Sequence, residues 1–331
     1  MRYLNLLILL FWTSYVSAQE WEDRQMFNGA FTQSTVRILS STDTSFFAPI
    51  LNDFVSKNPN ISVEYLVTGT ADIDTIFRAS PAKFDVIISS AMDLQLKLVN
   101  DGFALQIDGI THPSWAQWRD SLFGFTAEPA AIVVNRAAFA GQPMPRTRQD
   151  LIRAMRDRPR IFANRIGTYD VRKSGLGYLF ATQDARASET YWRLTEVMGS
   201  LGTQLYCCSG EMIDDLVSGE IAVAYNVLGS YASARAEVGN DIEIILPSDF
   251  PTTMMRTAFV SNGKTNTDVA QLFLRHLIDS QAETTHKLPS LDTVNGDTGQ
   301  STIALGPALM TYLDRLKRKQ FIKEWENAII Q

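Results

Sequence analysis

The hydrophobic and polar positions in the first third of the chain follow a strand-then-helix rhythm. Residues 36–39 and 84–88 are short apolar runs and residues 61–67 alternate, as strands do. The apolar side chains within residues 46–55 and 94–99 recur at helical spacing. Strands that alternate with helices favour right-handed βαβ units around a parallel sheet. The pattern therefore predicts an α/β fold.

A second alternating region follows an extended segment at residues 123–135, which Glu128-Pro129 interrupts. Residues 19–33, by contrast, are polar and aperiodic and are expected to be a loose lead-in. The elements predicted in the second region are helix 148–157, strand 160–163, helix 175–182, helix 188–199, strand 203–206, helix 210–217, strand 221–225, helix 230–237 and strand 242–246. A strand at residues 256–260 and helices at 267–280 and 307–330 complete the chain. Two α/β units are therefore expected.

Small polar clusters follow the three strands of the first unit, at residues 40–43, 68–70 and 89–90. Parallel sheets bind ligands beyond the carboxyl ends of their strands. Each cluster also precedes a helix, whose free N–H groups and dipole favour an anion. An ordinary helix N-cap is the alternative role for each hydroxyl. The candidate ligand-binding residues here are Ser41, Thr42, Thr70 and Ser90.

The second unit repeats this arrangement before two of its helices. Ser174 and Gly175 begin one predicted helix, and Arg172 just before them could pair with an anion. Tyr225 and Asn226 end a predicted strand and precede the next helix. The alternative for Tyr225 is a core aromatic side chain, whereas Asn226 is harder to explain as core.

Glu128 lies in the extended segment between the two units. It either contacts a cationic group of a ligand or is simply solvated, and the sequence favours neither. We keep it as a ligand-binding candidate.

Composition narrows the class of protein. The chain has 331 residues, a length that suggests two domains, and its formal net charge is −6. An acidic balance gives no long-range attraction to nucleic acid or to an anionic membrane. Residues 1–18 combine a positive start, an apolar stretch too short to span a bilayer comfortably and a small-residue cleavage pattern. They predict a cleaved signal peptide and a periplasmic product, the alternative being an uncleaved anchor.

Cys207 and Cys208, the two cysteines, are adjacent. Three alternatives remain open: a small buried pair, a vicinal disulfide formed in an oxidising compartment, and a thiol or metal site. In none of these would the pair link distant parts of the fold.

Catalytic and cofactor motifs are missing from the sequence. It contains no HExxH, no G-x-S-x-G, no G-x-G-x-x-G and no Walker A pattern. We therefore expect neither an enzyme nor a bound cofactor or metal.

Three segments carry a family resemblance: residues 36–41 (VRILSS), 84–90 (FDVIISS) and 218–226 (SGEIAVAYN). Their order and spacing resemble the periplasmic solute-binding proteins of ABC importers, in the ferric-ion-binding-protein-like branch. The resemblance covers most of residues 36–280. It implies the two-lobed type II fold, in which two α/β lobes, each a mostly parallel sheet flanked by helices, close on a ligand in the cleft.

The resemblance also implies a domain organisation. Residues 36–127 and 256–331 would form a discontinuous lobe 1, with residues 128–255 as lobe 2. Iron-binding members carry adjacent tyrosines just after the motif matched at 218–226, whereas this chain has Tyr225-Asn226 and no Tyr-Tyr pair. Direct ferric binding is therefore not expected.

The sequence thus predicts a monomeric periplasmic binding protein for a small, anionic organic solute of the phosphonate, phosphosugar or carboxylate class. Its partner would be an ABC permease in the inner membrane. The alternatives are a ligand-sensing partner of a membrane histidine kinase and a ferric binder that uses an exogenous anion.

Overall fold

The computed structural model describes residues 21–236, 241–263, 267–282, 288 and 301–331. The predicted signal peptide, residues 1–18, lies outside the described residues.

Strands and helices alternate through most of this part of the chain. The strands are β1 (Asp23–Phe27), β2 (Ser34–Ser40), β3 (Ile61–Val67), β4 (Val86–Ser89), β5 (Gln117–Trp118), β6 (Leu122–Gly124), β7 (Glu128–Asn135), β8 (Ile166–Tyr169), β9 (Gln204–Tyr206), β10 (Val223–Leu228), β11 (Ile242–Ile245), β12 (Thr252–Met254), β13 (Thr257–Val260) and β14 (Ser301–Thr302). The α-helices are α1 (Thr44–Lys57), α2 (Asp72–Ala79), α3 (Met92–Asn100), α4 (Arg148–Asp157), α5 (Pro159–Phe162), α6 (Gly175–Ala187), α7 (Thr190–Ser200), α8 (Ser209–Ser218), α9 (Gly229–Ala236), α10 (Asp268–Ala282) and α11 (Arg315–Ile329).

The strands form two sheets, each covered by helices. The first sheet has the order β1-β3-β2-β4-β13-β6-β5, and β2 is parallel to both β3 and β4. The second has the order β14-β12-β7-β10-β8-β9, with β11 also on β7, and β8 is parallel to β9 and β10. We call the first sheet with α1, α2, α3 and α10 the first lobe, and the second sheet with α4 to α9 and α11 the second lobe.

Among the described residues the chain passes between the lobes at two neighbouring crossings, and it does so again between α10 of the first lobe and β14 of the second. It leaves the first sheet after β6 and enters the second at β7, and it returns between β12 and β13. The two crossings are joined by backbone contact, since the Phe125 N–H donates to the Arg256 carbonyl at 2.9 Å. The lobes therefore share a two-stranded connection beside the cleft.

The three strands predicted from the first apolar runs are confirmed as β2, β3 and β4. Every residue of β4 is buried, which explains its apolar run; β3 is also buried throughout, although it contains Ser62 and Glu64. Helix 148–157 is confirmed as α4, which begins at a capping box formed by Thr147 and Asp150.

Three predictions about local structure are wrong. The lead-in at residues 19–33 contains β1, an edge strand antiparallel to β3, whose outward side chains are polar and hide the pattern. Residues 160–163 belong to a helical turn that Pro159 begins, while the strand comes later, as β8. Helix 307–330 is split at Asp314, whose carboxylate accepts from the Leu316 and Lys317 N–H groups and so begins α11.

Helix α11 also differs in position from the expected lobe. All of residues 256–331 were expected in lobe 1, whereas α11 packs on α7 of the second lobe. Its buried residues Phe321, Trp325 and Ile329 belong to that lobe's core. An amphipathic helix shows only that one of its faces is buried. The sequence of α11 therefore could not indicate which lobe that face covers.

Candidate functional site

A cavity of about 230 Å³ lies between the lobes, beside the two crossings. Both lobes contribute polar side chains to its wall. The lining residues include Glu22, Ser41, Asp43, Thr70 and Ser90 from the first lobe and Tyr169, Ser174, Cys207, Cys208, Ser209, Glu211 and Tyr231 from the second, with Arg256 from the return crossing. The cavity therefore brings together four of the residues predicted from the sequence: Ser41, Thr70, Ser90 and Ser174.

In the part of the chain that the structure describes, six helices begin at this cavity. Its lining residues either cap or immediately precede the first turns of α1, α2, α3, α6, α8 and α9. The N-cap residues of α1, α2, α3 and α8 make no side-chain cap hydrogen bond. Because free N–H groups and the helix dipole both give the N-terminus a positive potential, the helix ends favour negative charge in the cavity.

The hydroxyl groups of two parallel neighbours meet at one edge of the first sheet. Strands β2 and β4 are adjacent, so the residues that follow them approach each other. The Ser90 N–H donates to Ser41 Oγ at 3.3 Å, and Ser41 Oγ donates to Ser89 Oγ at 3.4 Å. Ser41 and Ser90 thus form one polar surface of the cavity.

Arg256 and Glu128 form a buried ion pair at the crossings. Arg256 Nε lies 2.6 Å from Glu128 Oε1, Nη2 lies 3.1 Å from Oε2, and both side chains are buried. Burial alone lowers the pKa of Arg256, but the neighbouring Glu128 charge outweighs it and raises that pKa above its usual range. The guanidinium therefore stays charged at the cavity wall.

Thr42 and Ser230 complete this cluster. Arg256 Nη1 donates to Thr42 Oγ1 at 2.6 Å, and Ser230 Oγ donates to the Glu128 carboxylate. Of the predicted site residues, Thr42 and Glu128 therefore lie behind the cavity wall and hold Arg256 in place. Neither alternative considered for Glu128, a ligand contact or a solvated side chain, describes it as well as this pairing with Arg256.

Thr70 and Gly175 meet across the cleft. Thr70 Oγ1 accepts from the Gly175 N–H at 2.9 Å and from the Leu176 N–H at 3.2 Å. Ser174 Oγ caps the same helix by accepting from the Gly177 N–H at 3.1 Å. Ser174 is therefore the N-cap of α6. The free N–H groups in the first turn of this helix have hydrogen-bond partners from both lobes.

Tyr225 and Asn226 lie away from the cavity, in the core of the second lobe. Both side chains donate to Asp184 Oδ2, at 2.6 and 2.7 Å, and Arg148 Nε donates to the Tyr225 hydroxyl at 2.6 Å. Burial raises the pKa of Asp184 even though the Arg148 charge opposes it. The strand-end position that suggested a ligand contact instead serves a buried polar network, with Asn226 in the left-handed region at φ 63°.

Arg172 is also engaged outside the cavity. Its Nε lies 2.8 Å from Asp170 Oδ1, and its Nη1 lies 3.2 Å from Glu326 Oε1 on α11. Because two carboxylates already neutralise it, Arg172 is a poor partner for an anionic ligand.

Several residues that line the cavity were not among the candidates predicted from the sequence. Tyr169 and Tyr231 are buried aromatics whose spacing carried no signal for a site, and their burial raises both pKa values. Arg256 stands at a strand start far along the chain from the other candidates. The adjacent cysteines were noticed in the sequence, but three alternatives for them stayed open. In the structure, Cys207 and Cys208 form a vicinal disulfide at the start of α8.

The carboxylates of Glu22, Asp43 and Glu211 stand on the exposed side of the cavity. Burial, together with the charges of Asp43 and Asp72, raises the pKa of Glu22. These carboxylates oppose the positive potential of the helix ends at the exposed side of the cavity.

The described residues contain no group of three or more His, Cys, Asp or Glu side chains placed to hold a metal ion. Among those same residues, no helix is long and apolar enough to cross a membrane.

A model of the bacterial extracellular solute-binding proteins matches residues 40–284. The chain belongs to this family. Its members are non-enzymatic transport components. The chain is also similar to the solved structure of the substrate binding protein of an ABC transporter from Agrobacterium tumefaciens, at 28% identity, TM-score 0.87 and coverage of 93% of this chain and 98% of that one. The chain is accordingly the substrate-binding component of an ABC transporter.

Two more distant solved structures share the fold of this solute-binding protein. The periplasmic binding protein AfuA from Actinobacillus pleuropneumoniae, with fructose-6-phosphate bound, has TM-score 0.72 at 15% identity and coverage of 90% and 99%. Iron-bound HitA from Pseudomonas aeruginosa has TM-score 0.67 at 14% identity and coverage of 89% and 99%. No curated protein sequence matches the chain. The two-lobed fold expected from the resemblance is thereby confirmed.

Proposed function

We propose that this solute-binding protein captures a small anionic organic solute, of the phosphonate, phosphosugar or carboxylate class, in the cavity between its lobes. It would do so in the periplasm as a monomer, after removal of residues 1–18, and deliver the solute to an ABC permease. The observation that carries the proposal is the convergence of six helix N-termini on one cavity.

The proposed contacts follow from the cavity wall. Ser41 and Ser90 offer hydroxyl groups, and the first turns of α1, α3 and α8 offer backbone N–H groups. Arg256 also lines the cavity, but its charge is balanced by Glu128, so the helix ends and hydroxyl groups carry the attraction. A cavity of about 230 Å³ is below the usual range of ligand pockets, roughly 300–1,000 Å³, which favours a small solute. Closure would follow from a higher affinity of the solute for the closed arrangement than for the open one.

Thermal unfolding in the presence of single solutes tests the class of ligand. Phosphate, fructose 6-phosphate, methylphosphonate and citrate serve as anions, and spermidine and thiamin as cations. A ligand at 100 times its Kd stabilises the folded state by about 2.7 kcal/mol, which for a chain of this size is a rise of several degrees in Tm. Stabilisation by the cations alone would overturn the anion proposal, as would no response to any anion.

A matched pair of variants tests where the anion binds. Ser41→Asp places a carboxylate on the inner wall and is expected to abolish the rise in Tm with the active anion, because like charges repel in a poorly solvated cavity. Ser114→Asp adds the same charge at an exposed position that does not line the cavity, and should leave the response unchanged. Equal responses of the two variants would contradict the proposed location.

A further inference from the structure

We infer that Thr70 is a positioning residue for lobe closure. Its hydroxyl group lies in the first lobe and caps the N-terminus of α6 in the second lobe. The inference rests on the proposed function in one respect, that closure is what captures the solute. It concerns the balance between open and closed lobes, which can be measured with no solute added.

The hydrogen bonds of Thr70 are those of a helix cap. Its Oγ1 accepts from the Gly175 and Leu176 N–H groups, at 2.9 and 3.2 Å, which are the first two residues of α6. N-terminal N–H groups have no partner within their own helix. Ser174, the N-cap residue, satisfies the third by accepting from Gly177. The α6 terminus is therefore completed only while the first lobe lies against it.

The close approach of the backbones supports this role independently. A Cβ atom built on Gly175 would lie 2.9 Å from the Thr70 carbonyl oxygen and 3.1 Å from Ala91 Cβ, both in the first lobe. Carbon and backbone oxygen atoms do not approach so closely, so any side chain at residue 175 would hold the lobes apart. Glycine at this position is what lets Thr70 reach the helix.

The contact also gives the helix termini at the cavity different roles in the proposed function. A hydroxyl oxygen occupies the place at α6 that an anion would take, so α6 contributes to closure. The solute is left to the uncapped first turns of α1, α3 and α8. Removing the Thr70 hydroxyl would leave two N–H groups without their partner and favour the open arrangement, in which water reaches them.

Small-angle X-ray scattering of the full protein, in a buffer without phosphate or carboxylate anions, tests the inference. Thr70→Val keeps the shape of the side chain but not the hydroxyl, and we expect a larger radius of gyration and a roughly tenfold lower ratio of closed to open molecules. Thr70→Ser should restore the wild-type value, because it restores the acceptor. Thr35→Val, an exposed threonine on β2 of the same lobe, is the matched control and should change nothing.

A second variant reaches the same state by a steric route. Gly175→Ala should open the lobes as Thr70→Val does, whereas Gly210→Ala, also in the first turn of a helix at the cavity, meets no atom within 4 Å and should not. Identical radii of gyration for wild type, Thr70→Val and Gly175→Ala would overturn the inference. The solute panel is a separate measurement, so failure of the anion proposal and failure of this inference are distinguishable.

Discussion

At the scale of single residues, the solute-binding protein places charge where the lobes join. Arg256 and Glu128 are buried at the two crossings and bonded to each other at 2.6 Å. Neither could be buried alone, because an unpaired charge in a protein interior is strongly unfavourable. The pair places the Arg256 guanidinium at the cavity wall, and each of the two buried charges has the other as its partner.

Breaking this pair should be costly. Arg256→Met leaves the Glu128 carboxylate buried without its partner, and we expect a loss of about 3–5 kcal/mol in the free energy of unfolding, measured by urea denaturation. The control is Arg24→Met, which removes an exposed partner of Glu64 and should cost less than about 1 kcal/mol. Equal losses in the two variants would mean that Arg256 contributes no more than a surface charge.

The vicinal disulfide should contribute little to global stability. A disulfide stabilises mainly by closing a loop of the unfolded chain, and adjacent residues enclose no such loop. We expect the Tm of a Cys207→Ser/Cys208→Ser variant to lie within about 2 °C of wild type, and reduction of the wild type with a phosphine to have a similarly small effect. A fall of ten degrees would show that the bond holds the fold.

At the scale of elements, helix α3 carries a buried carboxylate in its first turn. Asp93 is 2% exposed, and burial raises its pKa to about 7, although the Leu94 N–H and the Arg318 charge favour the ionised form. The positive end of the helix should also lower this pKa, so desolvation is the larger effect. Packing of α3 against the second lobe is its cause.

This carboxylate predicts a pH dependence of stability with a definite sign. Its pKa is higher folded than unfolded, so between pH ~4 and ~7 the folded state binds more protons and stability falls as pH rises. Above pH ~7 the loss is complete. Asp93→Asn should flatten this part of the curve of Tm against pH, and an unchanged slope in the variant would contradict the assignment.

Some strand and helix boundaries could be predicted from local sequence patterns and others could not. The strand β3 was predictable from its alternating pattern and β4 from its short apolar run, although every residue of both strands is buried. Residues 160–163 were not, because a four-residue apolar run fits either a strand or a helical turn. The break at Asp314 carried a local signal, a capping side chain before a helix, which the longer apolar period concealed.

At the scale of the whole molecule, the protein is acidic, whereas helix N-termini, which favour negative charge, lie at the cavity between the lobes. The chain has net charge −6, and the carboxylates of Glu22, Asp43 and Glu211 stand at the rim of the cavity. The helix termini act over a short range, within their first turns. If the solute is an anion, as we propose, its attraction would arise only inside the cavity, without long-range steering.

The sequence by itself determined the α/β alternation, the family and the edge of the first sheet that faces the cavity. These depend on local periodicity and on the rule that parallel strands end together, so Ser41, Thr70 and Ser90 could be selected without coordinates. Only the tertiary structure decided the rest. Arg256 and Glu128 are 128 residues apart in sequence, and Thr70 and Gly175 are 105 apart. Tyr225 and Asn226 were predicted as ligand contacts from their position at a strand end. In the structure, both side chains donate hydrogen bonds to Asp184. Such pairings arise from the way the two lobes pack, and local sequence carries no record of that packing.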